Sequence, residues 1–178
     1  MIAKSKIQVL YSKQELRARV KELAEQISSD YKDSNNLILI GVLKGAFVFL
    51  ADLMREISVD CQVEFIRLSS YDQGTTSSGK VKSIDLTLPD LTDKDVLIVE
   101  DIIDSGRTAK FLVDFFKTQN ARTIKLATLF DKPSRRIKEL QEIKADYTCF
   151  EIEDKFILGY GLDFEQKYRD LPYVGFIE

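Results

Sequence analysis

The 178-residue chain contains no histidine. A Ser-His-Asp or Cys-His catalytic device is therefore excluded, because both need an imidazole to carry the proton. Cysteine is scarce as well: Cys61 and Cys149 are too few for a structural zinc site built from Cys and His alone. Both lie in apolar, strand-like contexts, Cys61-Gln-Val-Glu-Phe-Ile66 and Tyr147-Thr-Cys-Phe-Glu-Ile152. They read as reduced core residues rather than as a disulfide or a nucleophile. Acid–base work must fall to Asp, Glu, Lys or Tyr, and any metal must rely on oxygen ligands. No apolar stretch approaches the ~20 residues that span a bilayer. The N-terminal Met1-Ile-Ala-Lys-Ser-Lys6 lacks the apolar run of a signal peptide. The expectation is a cytoplasmic protein with no membrane partner. Basic residues are not in excess: 26 Lys and Arg stand against 29 Asp and Glu, a net charge of −3. That balance argues against a nucleic-acid partner, which would favour a basic face.

What is present is ordinary for a soluble globular chain: 44% hydrophobic and 31% charged residues. The length predicts a single domain with a real core. Ser12-Lys-Gln-Glu15 is a capping box that opens a helix running to about Tyr31. The pattern then predicts a buried strand over 37–42, an apolar helix over 46–57 and an alternating strand over 61–70. A loop rich in Gly, Ser and Thr follows over 72–80, and a short hairpin or arm over 81–88. Further on come a central strand over 95–100, a helix over 108–118, a strand over 123–131 and a helix over 133–143. Strands over 147–152 and 173–177 close the chain. This alternation predicts a mostly parallel, twisted α/β sheet flanked by helices.

The most informative segment is Val96-Leu-Ile-Val-Glu-Asp-Ile-Ile-Asp-Ser-Gly-Arg-Thr108. Four apolar residues suit a strand buried on both faces. Glu100 and Asp101 then sit where that strand leaves the core, at the edge where open α/β sheets build their sites. Their side chains should point to different faces unless the strand bends. Carboxylates there suit sugar hydroxyls and Mg²⁺, although a solvated strand end would look the same. Ser105-Gly-Arg-Thr108 opens the next helix, where free amides and the helix dipole favour an anion such as a phosphate monoester. A plain Ser cap is the simpler alternative. Asp104 fits a general base and equally fits the residue capping the helix.

Two glycine-rich stretches differ in weight. Gly41-Val-Leu-Lys-Gly-Ala46 sets a lysine between glycines after a buried strand, and such a lysine needs a partner or a ligand. Its backbone amides can face an anion. Gly74-Thr-Thr-Ser-Ser-Gly-Lys-Val81 imitates a nucleotide-binding P-loop until Val81 replaces the Ser or Thr that would hold Mg²⁺, and no helix signature follows. A lid that closes over a site fits this stretch better.

The segment 96–108 resembles the signature of the type I phosphoribosyltransferases, and Asp104 within it points to their 6-oxopurine branch. Gly41–Ala46, Leu68-Ser-Ser-Tyr71, Asp154-Lys-Phe156, Gly159-Tyr-Gly-Leu-Asp163 and Tyr168-Arg-Asp-Leu171 agree with that branch, in its order, over about residues 36–178. Ser105 replaces a Thr that is common in the family and keeps the hydroxyl. The resemblance implies a core over about 36–150, a small hood over about 1–10 and 151–178, and a flexible lid over about 69–84.

It also implies roles for individual residues. Asp104 would be the general base, and Asp104, Ser105, Gly106, Arg107 and Thr108 the phosphate loop. Glu100 and Asp101 would hold the ribose hydroxyls, with Asp163 joining them toward Mg²⁺. Leu43, Lys44 and Gly45, with Arg169, Ser70 and Tyr71, would hold pyrophosphate, with a cis peptide between Leu43 and Lys44. Lys132, Phe156, Ile157 and Asp163 would hold the purine. Simpler alternatives are a solvated Lys132, a core Phe156 and a surface ion pair of Arg169 with Asp170 or a nearby acid. The implied reaction transfers the phosphoribosyl group of 5-phosphoribosyl 1-pyrophosphate to hypoxanthine or guanine, in a homodimer or homotetramer. Rival readings are a regulatory nucleotide-binding protein of the same fold, and a transferase for another base such as xanthine.

Overall fold

The computed structural model describes residues 6–70, 81–85 and 88–177, without the side chains of 69, 70 and 81–85. The imitation P-loop up to Lys80, most of the expected lid, Tyr71 and the side chain of Ser70 lie outside the described residues, as do residues 1–5.

Six strands form the main sheet. β2 (Leu37–Leu43), β3 (Cys61–Ser70), β4 (Val81–Asp85), β5 (Asp95–Ile103), β6 (Thr123–Asp131) and β7 (Tyr147–Glu151) are ordered β4-β3-β2-β5-β6-β7. All neighbours run parallel except β3 and β4, which pair antiparallel as an edge hairpin. A second, antiparallel sheet of three strands joins β1 (Gln8–Tyr11), β9 (Val174–Phe176) and β8 (Ile157–Leu158). It brings the two ends of the described chain together beside the main sheet.

Both faces of the central strands are buried, which is why they read as unbroken apolar runs. Leu37, Leu39, Leu97 and Val99 pack with α1 (Lys13–Asp30) and α2 (Phe47–Glu56). Ile38, Ile40, Val96 and Ile98 pack on the opposite side with Leu112 and Phe116 of α3 (Arg107–Lys117). One residue of slip would exchange the two cores, so the period of two fixes the register. The capping box is present: the Glu15 amide donates to Ser12 Oγ, and Glu15 Oε2 accepts from the Ser12 amide at 2.8 Å. At the opposite end of the sheet, Asp95 accepts from Ser34, Arg122 and Thr123 at 2.5–2.9 Å.

Three sequence expectations need correction. β5 runs on to Ile103, so Glu100 and Asp101 lie within the strand and not beyond its end. Asp104 does not cap α3: the cap is Gly106, with φ of 84°. A side chain at Gly106 would also press on Arg136 Cδ at 3.2 Å and Leu140 Cβ at 3.3 Å, so only glycine fits. The segment 133–143 is not an α-helix; it forms single 3₁₀ turns at Pro133–Arg135 and Lys138–Leu140. Arg136 turns inward between them, and its side chain is only 4% exposed.

Candidate active site

The carboxyl ends of β2, β5 and β6 converge, and each delivers a different chemistry. β2 ends in the loop Leu43-Lys44-Gly45, whose first peptide is cis. The Lys44 ammonium donates to Gln166 Oε1 at 3.2 Å. Gly45 lies flat against Asp101: a Cβ there would fall 1.5 Å from Asp101 Oδ2. Gly161 in turn packs on the same loop, where a Cβ would come within 2.5 Å of the Gly45 carbonyl. Glycine at both positions lets the hood segment, the β2 loop and the β5 carboxylate stack without a gap.

β5 supplies the acids. Glu100 is 4% exposed, and its Oε1 is buried with no hydrogen-bond partner. Burial, and then the neighbouring Asp101 charge, push its carboxyl well above the usual range. Asp101 is raised as well, by burial above all, with its own hydrogen bond to the Ile102 amide at 2.8 Å working the other way. An orphaned carboxylate oxygen beside a second, half-buried acid is a site that wants hydroxyl donors or a cation. The donor set fits Mg²⁺, which takes one or two carboxylates plus substrate oxygens. Among the described residues, no three acids gather to hold a metal by themselves. Asp163, the third expected ligand, is engaged elsewhere: Oδ1 pairs with Arg169 at 2.6 Å and Oδ2 accepts from the Gln166 amide at 2.8 Å. Arg169 also donates to the Gly161 carbonyl at 2.7 Å. It also donates to Gln166 Oε1 at 3.3 Å, so Arg169 pairs with a nearby acid, Asp163, at the mouth of the β2 loop.

Beyond β5 the chain passes Asp104 and enters α3 through Ser105-Gly106. The first amides of α3 have no partner within the helix, an arrangement that favours an anion; the Arg107 amide makes only a long contact to Ser105 Oγ at 3.5 Å. Asp104 is exposed, and Arg135 Nε donates to its Oδ1 at 3.1 Å while Arg135 Nη1 reaches Asp154 at 3.4 Å. β6 ends at Asp131 and Lys132. Lys132 is buried, 7% exposed, and its ammonium donates to the Lys155 carbonyl at 2.6 Å. It is not a solvated lysine. Nor is Phe156 a core residue: it is 53% exposed and meets Phe164 edge-on at 5.6 Å.

Asp104, Lys132, Phe156, Ile157 and Asp163, with Ile102 and Leu162, line one cavity of about 300 Å³. An exposed aromatic face, an ammonium and two carboxylates around so small a hollow suit a flat, polar heterocycle. A larger hollow of about 830 Å³ lies between α1, α2 and the segment 169–172. Its lining mixes both charge signs with apolar groups and lacks the converging strand ends, so the smaller one is the candidate site. The Cys149 thiol is pushed up to about 12 by burial, and the Cys61 thiol is also raised by burial, so neither is poised as a nucleophile. Sequence patterns missed Arg135, Arg136 and Gln166. The adjacent arginines after Pro133 were the available signal; nothing local marked Gln166.

The phosphoribosyl transferase domain family matches residues 7–165. The hypoxanthine-guanine phosphoribosyltransferase of Streptococcus pyogenes serotype M3 is 47% identical over 170 residues, 96% of this chain and 92% of that protein. That of Streptococcus thermophilus is 43% identical over 178 residues, 100% of this chain and 97% of that protein. Among solved structures, a hypoxanthine-guanine phosphoribosyltransferase from Bacillus anthracis superposes with a TM-score of 0.84 at 44% identity, covering 96% of this chain and 98% of that one. A hypoxanthine phosphoribosyltransferase from Staphylococcus aureus gives 0.86 at 35% identity, covering 98% and 93%. The chain belongs to the phosphoribosyltransferase family, in its 6-oxopurine branch.

Proposed function

We propose that this chain is a purine-salvage transferase. It moves the 5-phosphoribosyl group from 5-phosphoribosyl 1-pyrophosphate to hypoxanthine or guanine, forming IMP or GMP and releasing pyrophosphate. The observation that carries this reading is the small cavity shared by Asp104, Lys132 and Phe156 at the sheet edge. Its relatives' names point the same way.

In this scheme the purine stacks on Phe156, with Ile157 and Asp163 at its exocyclic edge. Lys132 donates to the 6-oxo group, and Asp104 takes the proton from N7 as N9 attacks the sugar. A positioned base of this kind contributes ~10²–10⁴ in rate. The 5′-phosphate sits on the amides and hydroxyls of Ser105 to Thr108, Arg107 included. Glu100 and Asp101 grip the ribose hydroxyls. Leu43, Lys44, Gly45 and Arg169 hold the pyrophosphate, together with Ser70 and Tyr71. Glu100 and Asp101 would hold Mg²⁺, which when bound would supply positive charge for the departing pyrophosphate. Holding attacker and leaving group in line is the chain's main contribution.

We take residues 1–178 as one catalytic domain working in the cytoplasm, as a homodimer or homotetramer. The deciding experiment incubates the protein with labelled 5-phosphoribosyl 1-pyrophosphate, Mg²⁺ and each free base in turn. Labelled IMP and GMP are expected. Transfer to xanthine alone would reassign the base, and no transfer with nucleotide still bound would favour a regulatory protein.

A further inference from the structure

Arg136 is the most fully engaged side chain near the cavity, yet it does not line it. Its guanidinium lies behind the site, 4% exposed, where three segments meet. Nη1 donates to the Ile103 carbonyl at 2.8 Å and also to the Asp104 carbonyl. Nη2 pairs with the Asp131 carboxylate, and Nε donates to the Ile143 carbonyl at 3.1 Å. The stem lies under Gly106, as the 3.2 Å approach to a built Cβ records. One planar fork thus ties the backbone that carries Asp104 to the strand end that carries Lys132. Two amides complete the junction: Lys132 N donates to the Ile103 carbonyl at 3.0 Å, and Ile137 N donates to the Ser105 carbonyl at 3.3 Å.

We propose that Arg136 is a positioning residue that fixes the spacing between the Asp104 loop and Lys132, and through it the discrimination of the purine's 6-oxo edge. This rests on the transfer reaction proposed above. Asp104 and Lys132 approach the same edge of the ring, one at N7 and one at the 6-oxo group. Neither residue belongs to a rigid element at its own position. Asp104 follows β5, and Lys132 follows β6. The β5–β6 ladder ends by pairing Ile103 with Asp131, one residue short of both, so the last step of their separation is set by what bridges the two loops. A lysine in place of Arg136 would keep the charge opposite Asp131 but could not fork to three carbonyls and a carboxylate at once. Errors of about 1 Å in such a constellation cost roughly 10²-fold in rate.

Two measurements on the full-length protein test this. In hydrogen exchange without substrate, Arg136→Lys is expected to raise exchange at the Lys132 and Ile137 amides together, with the α1 amides unchanged. In steady-state kinetics, kcat/KM for hypoxanthine is compared with that for unsubstituted purine, which has no 6-oxo group. Arg136→Lys is expected to shrink that ratio by roughly tenfold or more, because the lysine no longer meets the oxygen in register with the base. A variant that only lost folded protein would lower both values equally and leave the ratio alone. Asp131→Asn frees one end of the fork and is expected to move both readouts the same way by a smaller factor. It decides the matter if Arg136→Lys does not fold. Unchanged protection at the two amides, or an unchanged ratio, overturns the proposal. Absence of transfer in the unaltered protein would instead overturn the reaction, and the exchange result would still judge the strut.

Discussion

Glu100 keeps a buried carboxylate oxygen without a hydrogen-bond partner. In the ligand-free fold this is a cost, because burial disfavours the ionised form that water stabilises in the unfolded chain. The folded-state pKa is raised, so stability is fullest below the unfolded value and declines as pH rises toward the folded one. Glu100→Gln keeps the unpaired oxygen but removes the ionisable carboxyl, so it should stabilise the free protein at pH 7. The gain should vanish near pH 4, where the glutamate is protonated in both states; thermal unfolding at the two pH values measures it. The same substitution should weaken binding of the pyrophosphate donor. Asp104 behaves differently, being exposed and paired with Arg135. Asp104→Asn should lower turnover with guanine by ~10²–10⁴, while the donor still binds by calorimetry. Unchanged turnover would remove Asp104 from the role of base.

Element by element, much was legible and the remainder had physical reasons for being hidden. The capping box announced α1, and the apolar runs announced β2 and β5. β5 seemed to stop at Glu100 because charged residues normally leave a core. Here two acids stay inside the strand, and the ligand-binding role proposed for them would account for an otherwise costly burial. The segment 133–143 carried Pro at its start like a helix. The demand that Arg136 reach the carbonyls of Ile103 and Ile143 broke it into short turns instead. Gln166, which accepts from both Lys44 and Arg169, was invisible because its contacts span 122 positions in sequence in one case. At the far edge of the sheet, Asp95 is held well below the usual carboxylate range, chiefly by its hydrogen bond to Arg122. Its stabilisation is present above the unfolded pKa and is lost as pH falls through the lower folded value. Asp95→Asn should cost about 1–3 kcal/mol at pH 7, and the deficit should narrow below pH 4 in denaturant titrations.

For the molecule as a whole, the sheet end, the β2 loop and the hood segment act as one binding surface. Gly161 packs closely on Gly45, and Gly45 on Asp101, so the three parts are in direct contact. Ligand binding should therefore raise global stability. With Mg²⁺ and 5-phosphoribosyl 1-pyrophosphate at 100 times the dissociation constant, about 2.7 kcal/mol is expected. In the proposed scheme Glu100 and Asp101 ionise to take these ligands; both carboxyls are raised, so the thermal shift should be larger at pH 8 than at pH 6. An equal shift at both values would mean that the acid pair does not face the ligand.

The most direct measurement is a crystal structure of the chain with GMP bound. The 5′-phosphate should lie within hydrogen-bonding distance of the Gly106, Arg107 and Thr108 amides, with the guanine against Phe156, its N7 beside Asp104 and its 6-oxo group beside Lys132. A nucleotide seated instead in the larger hollow between α1 and α2, with its phosphate away from the start of α3, would contradict the account.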